Sequence, residues 1–270
     1  MEPAPRRRLA RALHAVDPVA WRAARVWPTT PTSGAFVCVY RERHAAVVER
    51  LVAEAASLGM AVALWALDAA SRSPRLAAAT VGAGPGPRLA LQNRLCTALA
   101  ASAAGPLVLA DDDVVFERGG LGRLLSAVER CGFGIAQPAH APGSHRSHSF
   151  TASRPLTLAR QTSFVEVGPL VVVATGWRAR VLPLPEEFAM GWGLELVWHD
   201  LARDGCRLGI VDAVTIRHLA PAAADYDRGP EAERVRALLR ARNLRSLREV
   251  QRRLAVWRVW ERRPTWHRRD

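Results

Sequence analysis

The chain has 270 residues, of which 49% are hydrophobic and 23% are charged. This is the composition of an ordinary globular protein with room for one large domain or two small ones, and it excludes a disordered chain. The formal net charge is +13, and all 38 basic residues are arginine. A protein this basic attracts anions. Its arginines are dispersed except near the two ends, so nucleic acid is not an expected partner.

No apolar run approaches the roughly 18–20 residues of a membrane span, and no apolar block of a secretory signal follows the N-terminal arginines. The cysteines lie far apart in the sequence, which excludes a zinc knuckle and a CxxC redox pair. We expect four buried free thiols in a reducing compartment, and therefore a cytoplasmic protein. They are Cys38, Cys96, Cys131 and Cys206.

The first segment, residues 1–33, is rich in Arg, Ala and Pro. It predicts a basic extension with a short helix around 6–26, followed by a Pro/Thr linker. Docking of this helix on the protein's own core is the favoured interpretation. The alternative is peripheral contact of the basic termini with the inner face of a membrane.

Residues 34–137 alternate between buried strands and amphipathic helices, which indicates βαβ units and a parallel sheet. This region is the expected first half of the main domain. Its predicted elements are strand 35–40, helix 43–58, strand 60–67, helix 87–103, strand 107–110, helix 119–131 and strand 133–137.

The pattern changes in residues 138–225, the expected second half of the same domain. The predicted elements are a polar loop at 140–150, a strand-like run at 164–174, a loop at 183–193, a helix at 194–205 and two short strands within 207–221. Residues 226–270 predict a basic helical tail. The predicted fold class is therefore α/β, with a mixed, mainly parallel sheet flanked by helices and a helical C-terminal extension.

The stretch LVLADDDVVF at 107–116 places three consecutive aspartates, Asp111, Asp112 and Asp113, at the end of a buried strand. Neighbouring carboxylates repel one another, and a divalent cation with oxygen ligands removes that conflict. Asp68 ends another predicted strand. Since parallel strands share a direction, these acids are expected to face one crevice. The competing interpretation of the triplet is a polar turn after an edge strand.

Two further motifs carry candidate chemistry. In GWGLELVWHD at 191–200, the glycines permit a tight loop, Trp192 offers a flat face for a sugar ring, and Glu195 begins a helix where a carboxylate can act as a general base. A core tryptophan and a carboxylate that complements the helix dipole are the competing interpretation. In TIRHLAP at 215–221, His218 follows a strand, and imidazole is a common ligand of transition metals.

The chain resembles the GT-A glycosyltransferases of the family 2 and galactosyltransferase-like kinds. The resemblance rests on three motifs in order: a strand followed by DDD, then GWG-x-E at the start of a helix, then IRH. It covers about residues 35–221 and implies that residues 34–137 are the nucleotide-binding half and residues 138–225 the acceptor-binding half. It implies the GT-A (nucleotide-diphospho-sugar transferase) fold and a hexosyltransferase-like enzyme that uses a nucleoside diphosphate sugar, most simply a UDP-sugar. The implied acceptor is a hydroxyl group of a glycan, a lipid-linked molecule or a small molecule.

The resemblance also implies roles for individual residues. Mn²⁺ or Mg²⁺ would be held by Asp113, Asp111 and His218. The nucleotide sugar would contact Asp68, Arg88, Asn93, Asp111 and Asp112. The acceptor would contact Gly191, Trp192, Gly193 and Glu166. The base of an inverting reaction would be Glu195.

One position departs from the pattern of the family. Many relatives have a second acid directly after the first, whereas this chain has Leu196. The base is then Glu195 or Asp200, or the domain is inactive. Two other classes stay open: a nucleotidyltransferase or phosphohydrolase on a related scaffold, for which the expected Gly-rich loop is missing at 37–45, and a non-catalytic basic binding protein.

Overall fold

The computed structural model describes residues 33–69, 71–99, 104–221 and 227–260, together with the backbone of 265–266. The predicted N-terminal helix around 6–26 lies outside the described residues. None of the described helices is long and apolar enough to cross a membrane.

One mixed sheet runs through the molecule. Its strands in chain order are β1 Ala35–Tyr40, β2 Ala61–Ala66, β3 Thr80–Ala83, β4 Leu107–Asp111, β5 Val114–Arg118, β6 Ile135–His140, β7 Thr157–Thr162, β8 Leu170–Val173, β9 Leu208–His218, β10 Arg253–Arg258 and β11 Thr265–Trp266. The strand order in space is β11-β10-β7-β9-β6-β8-β4-β1-β2-β3, and β5 pairs with β9.

The helices flank this sheet. They are α1 Ala45–Ser57, α2 Pro74–Ala79, α3 Arg88–Ala98, α4 Leu121–Cys131, α5 Arg178–Val181, α6 Leu194–Arg203 and α7 Gly229–Ala241, with short 3-10 turns between them. The predicted α/β class with a mixed sheet is therefore confirmed.

The strands of the first half are parallel. β1 pairs in parallel with both β2 and β4, and β2 pairs in parallel with β3. In the register of the β1–β4 pair, Val39 stands opposite Asp111. The carboxyl ends of these strands therefore meet at one edge of the sheet, as the sequence predicts.

Alternate residues of β1 pack into two cores, one on each face of the sheet. Phe36, Cys38 and Tyr40 belong to one core, and Ala35 and Val37 belong to the other. This alternation is the period of an extended strand covered on both faces. All four cysteines are buried and free, as expected.

In the second half, antiparallel pairs join the sheet. β8 lies between β4 and β6 and is antiparallel to both, whereas β6 and β9 are parallel. The strand-like run at 164–174 forms a strand only from Leu170. Residues 164–169 before it are a loop that reaches the carboxyl edge of the sheet.

The prediction of two short strands within 207–221 is wrong, because β9 is a single strand from Leu208 to His218. Asp212 breaks the apolar pattern in its middle. In the structure this carboxylate is fully buried and accepts a 2.8 Å hydrogen bond from the fully buried Arg160 on β7. A buried acid with such a partner does not interrupt a strand.

The C-terminal segment is helical as far as α7. After a 3-10 turn it becomes strand β10, which pairs antiparallel with β7. The structure also contains elements that the sequence pattern did not indicate: the short helix α2, the strand β3 that follows it, and β7 itself. The C-terminal segment is thus part of the main sheet.

Candidate active site

A cavity of about 490 Å³ opens at the carboxyl edge of the parallel strands. Its first wall comes from residues before position 114 and includes Val39, Arg41, Leu67, Arg88, Asp111 and Asp113. Its second wall comes from later residues and includes His140, Arg146, Glu166, Trp192, Glu195 and His218. The cavity therefore contains most of the residues that the three sequence motifs supply.

The aspartate triplet divides into three separate environments. Asp111 ends β4, and its carboxylate lies 2.7 Å from the guanidinium of Arg88. Asp113 lies 3.0 Å from Nε2 of His218, at the end of the neighbouring strand β9. β5 begins directly after Asp113 and pairs with β9, with Val114 opposite His218, and this pairing brings the acid and the imidazole together.

The two acids differ in their proton affinity. Burial raises the pKa of the Asp111 carboxyl, and the nearby Arg88 guanidinium opposes the rise. Burial acts in the same direction on Asp113, but hydrogen bonding and the charge of His218 outweigh it and hold the pKa of Asp113 below its usual value. In return, Asp113 raises the pKa of His218 against the effect of burial.

Asp112 has a different role from its neighbours. Its carboxylate accepts a 2.8 Å hydrogen bond from the backbone N–H of Arg41 and lies 3.1 Å from Nδ1 of His44. Asp112 therefore connects the end of β4 to the loop after β1, although it also borders the cavity.

The donor set fits a divalent cation. Carboxylate oxygens with one imidazole suit Mn²⁺, and the 3.0 Å between Asp113 and His218 is close to the roughly 3.0 Å between adjacent ligands of an octahedral ion with ~2.1 Å bonds. Among the described residues, no group of three or more His, Cys, Asp or Glu side chains is close enough to hold a metal ion. Asp111, the third predicted ligand, is paired with Arg88. Hydrated Mg²⁺-like ions commonly take one or two protein ligands and complete the shell with substrate phosphates and water.

The GWG loop brings Trp192 and Glu195 to the second wall. Gly191 and Gly193 have φ angles of +102° and +98°, a backbone conformation that glycine adopts without strain. Gly193 is the N-cap of α6, and its N–H donates a 2.9 Å hydrogen bond to the Glu195 carboxylate. The tight turn thus fixes the acid at the first turn of the helix.

Glu195 is only 8% exposed, and burial raises its pKa to about 7. The hydrogen bonds that it accepts oppose this rise, while the negative charge of Glu166 adds to it. A buried carboxylate with a pKa near 7 gains and loses its proton at neutral pH. This is the property of a general base or acid.

Glu166 is held in a buried polar network next to Glu195. One of its carboxylate oxygens lies 3.0 Å from Nε2 of His140, and the other accepts a 2.9 Å hydrogen bond from the backbone N–H of His148. Nδ1 of His140 lies 2.9 Å from the hydroxyl of Ser144. The sequence-predicted acceptor residue Glu166 therefore also organises the loop at 140–150.

Four predicted residues are not among those that line the cavity, namely Asp68, Asn93, Gly193 and Asp200. Asp68 accepts hydrogen bonds from the backbone N–H groups of Glu42 and Ala69 at the rim. Asn93 hydrogen-bonds both the backbone N–H and the C=O of Leu184 and so connects α3 to the loop at 183–193. These contacts are structural, and they hold the elements that surround the cavity.

Asp200, the alternative base, also lies outside the cavity lining. It is paired at 2.8 Å with Arg242, just after α7. This pair joins α6 to the C-terminal helix. Of the two candidate bases, only Glu195 faces the cavity.

The sequence analysis did not single out several cavity residues. Arg41 and His44 come directly after β1, and Arg146 lies in the polar loop at 140–150. The sequence feature that could have indicated Arg146 is the concentration of histidines, serines and arginine in the loop at 140–150. The sequence does not show which of these side chains reaches the cavity.

No family model and no curated protein matches the sequence. Solved structures do match the fold. The structure is similar to the crystal structure of GalNAc-T7 with UDP, GalNAc and Mn²⁺, with a TM-score of 0.56 and 9% sequence identity over 77% of this chain and 48% of that chain. It also matches S. aureus TarS 1–349 with a TM-score of 0.48 and 9% identity, over 68% of this chain and 60% of that chain.

The similarity to GalNAc-T7 defines the class of the fold. The chain has the GT-A fold of nucleotide-diphospho-sugar transferases, as the sequence motifs predict. It spans about half the length of the GalNAc-T7 chain that it matches.

Proposed function

We propose that the protein is a metal-dependent, hexosyltransferase-like glycosyltransferase that moves a sugar from a UDP-sugar to an acceptor hydroxyl. The observation that carries the proposal is the convergence of Asp111, Asp113 and His218 with the near-neutral acid Glu195 in one cavity of a GT-A fold. The crystallisation of the similar GalNAc-T7 with UDP, GalNAc and Mn²⁺ supports the donor and the metal. The acceptor belongs to a glycan, a lipid-linked molecule or a small molecule.

The first wall, together with His218 from the second wall, would bind the donor. Arg88 begins α3 and lines the cavity beside Asp111, so its guanidinium can donate hydrogen bonds to the diphosphate. The residues that would hold Mn²⁺ or Mg²⁺ are Asp113 and His218, with Asp111 beside them. The chemistry that a bound divalent cation supplies is neutralisation of charge on the leaving diphosphate.

The second wall would bind and activate the acceptor. Trp192 lines the cavity with an aromatic face on which a sugar ring can stack. Glu195 would accept the proton of the acceptor hydroxyl as its oxygen attacks the anomeric carbon. A base on the acceptor side suits direct displacement, so the configuration at that carbon would invert.

Binding of nucleoside diphosphates tests this function. Thermal unfolding is measured with UDP, GDP, CDP or ADP, each with and without Mn²⁺, and with Mn²⁺ alone. We expect a rise in melting temperature that requires both components and is largest for UDP, because ligands that bind only the folded state stabilise it. Failure of every nucleotide–Mn²⁺ pair to shift the melting temperature contradicts the proposal and favours a non-catalytic basic protein.

A further inference from the structure

Arg146 differs from the other charged residues of the cavity because it has no partner in the part of the chain that the structure describes. It is partly buried and lines the second wall, yet it makes no hydrogen bond or ion pair with any residue that the structure describes. Four of the five acids that line the cavity are paired with a basic residue, whereas the fifth, Glu195, accepts a hydrogen bond from the backbone N–H of Gly193. The four pairs are Asp111 with Arg88, Asp112 with His44, Asp113 with His218 and Glu166 with His140.

The chain before Arg146 is fixed to the end of β9. The hydroxyl of Ser144 accepts a 2.9 Å hydrogen bond from the backbone N–H of His218, and the backbone N–H of His145 donates to the C=O of His218 at 3.3 Å. Ser144 also contacts the buried ring of His140. The loop thus enters the cavity at a defined position.

The chain after Arg146 is fixed equally firmly. The backbone N–H of His148 donates to the buried Glu166 at 2.9 Å, and Nδ1 of its ring lies 2.9 Å from the side-chain amide of Gln251. The ring of His148 packs edge-on against Phe164, with 4.8 Å between ring centroids. Arg146 is therefore held between two anchored points of backbone, and a ligand that it binds does not have to order the loop.

A partly buried guanidinium without a partner favours an anionic ligand. Its planar fork of N–H donors matches the geometry of a carboxylate or a phosphate, and such pairs are stronger than neutral hydrogen bonds. Arg146 lines the cavity two residues before His148, whose backbone N–H donates to Glu166, and the charge of Glu166 acts on the proposed base Glu195. Arg88, beside Asp111, is already available to the donor diphosphate. The anchor on Glu166 therefore relates Arg146 to the acceptor side of the cavity.

We propose that Arg146 binds an anionic substituent, a carboxylate or a phosphate, on the acceptor sugar. This inference rests on the proposed function and adds to it the chemical class of the acceptor. The anionic group has two sources, a uronic acid or a phosphorylated sugar. Arg146 is a specificity-determining residue in this account, and it takes no part in proton transfer.

Direct binding to the full-length protein loaded with UDP and Mn²⁺ tests the inference. Calorimetric titration at fixed ionic strength compares methyl glucoside with methyl glucuronide, and glucose with glucose 6-phosphate. At least one anionic probe is expected to bind about tenfold more tightly than its neutral counterpart, the effect of a charge-assisted hydrogen bond. Which pair shows the preference identifies the source of the charge.

Substitution of Arg146 completes the test. Arg146→Gln should abolish the preference and leave UDP affinity unchanged, and Arg146→Lys should retain part of the preference because it keeps the charge. Arg203→Gln is the matched control, since Arg203 is exposed near the end of α6 and does not line the cavity. It should behave as the unsubstituted protein.

Several outcomes overturn the inference. They are equal binding of charged and neutral probes, no binding of any probe, a preference that survives Arg146→Gln, or a loss of UDP affinity in Arg146→Gln with acceptor binding intact. If the unsubstituted protein binds no UDP with Mn²⁺, the proposed function itself fails. Binding of UDP without preference for an anionic sugar overturns the acceptor class alone.

Discussion

The two walls of the cavity are built in different ways. In the first wall, the acid Asp111 ends a strand that is paired in parallel with β1. The register of this pairing, with Val39 opposite Asp111, fixes the position of the acid. The second wall consists largely of loops, and its polar residues are held by side-chain hydrogen bonds such as that between Glu166 and His140. The carboxyl edge of a sheet is a common position for ligand-binding charges in α/β proteins, whereas loops vary more between related proteins and carry the groups that differ among them.

The largest effect on the rate of sugar transfer should come from substituting an acid of the first wall. Asp113→Asn removes the charge of the acid that contacts His218 and keeps its shape. We expect sugar transfer to fall by about a thousandfold, because a site that neutralises diphosphate charge contributes several kcal/mol. Initial rates at saturating donor measure the loss, and the stabilisation by UDP with Mn²⁺ should disappear as well.

Asp204→Asn is the control for this change, since Asp204 is an exposed acid after α6 whose partner Arg180 is also exposed. Its transfer rate should match that of the unsubstituted protein. Full turnover by Asp113→Asn with an intact fold contradicts the role of the first wall.

The next effect concerns the base on the second wall. Glu195→Gln should lower kcat roughly a hundredfold and leave the KM for the donor unchanged, because proton transfer contributes to the chemical step alone. Steady-state kinetics with varied donor separates the two constants. Asp200→Asn serves as comparison and should stay within about twofold, since this acid pairs with Arg242 outside the cavity lining. A larger loss in Asp200→Asn than in Glu195→Gln moves the base to Asp200.

The raised pKa of Glu195 also predicts a cost in stability that depends on pH. Its pKa is about 7 in the folded protein against 4.5 for the free group. The contribution of this carboxyl to the free energy of unfolding is therefore fully present below pH 4.5 and is lost as the pH rises through 7. At pH 8, Glu195→Gln should unfold at higher urea concentration than the unsubstituted protein, by on the order of 3 kcal/mol in the free energy of unfolding.

At pH 4.5 this difference should be small, because the acid is protonated in the folded state and half protonated in the unfolded state. Equal stability of the two proteins at both pH values would show that the carboxyl titrates normally. That result would contradict the assignment of Glu195 as a general base with a pKa near neutral pH.

The smallest effect comes from loosening the second wall. Gln251→Ala removes the side-chain amide that contacts His148, next to the loop that carries Arg146. We expect the free energy of unfolding to fall by about 1 kcal/mol, the net value of one hydrogen bond. The KM for the acceptor should rise a few-fold while UDP affinity stays constant. A change in UDP affinity instead would show that the two walls do not act separately.

The sequence predicts the first wall well. Apolar runs identify β1, β2 and β4, and parallel connections place their carboxyl ends at one edge. The same reasoning identifies the turn that carries Trp192 and Glu195, because two glycines and a helix start have local signatures. The strand that ends at His218 is predicted only in part, because its residues indicate two short strands where the structure has the single strand β9.

The remaining features depend on contacts between distant parts of the chain. The partners Gln251 and His148 are 103 positions apart, and Asn93 is 91 positions from Leu184. Sequence periodicity carries no information about such pairs. The family resemblance relates Asn93 to the nucleotide, and this stays a prediction; in the structure the side-chain amide of Asn93 connects α3 to the loop at 183–193.

The division of the aspartate triplet was only partly predictable. The resemblance relates Asp113 and Asp111 to the metal and Asp112 to the nucleotide sugar, and these roles stay predictions. The structure gives the acids different partners: Asp113 meets His218 through the pairing of β5 with β9, and Asp112 accepts the backbone N–H of Arg41. The antiparallel pairing of β5 with β9 could not be deduced from the residues alone.

The most direct test of the account is the position of the metal. Crystals of the protein with UDP and Mn²⁺ are measured at the manganese absorption edge, where anomalous scattering locates the ion directly. We expect one peak in the cavity, bonded to Asp113 and His218 and to the diphosphate of UDP. A manganese peak elsewhere, or UDP bound outside this cavity, contradicts the central claim.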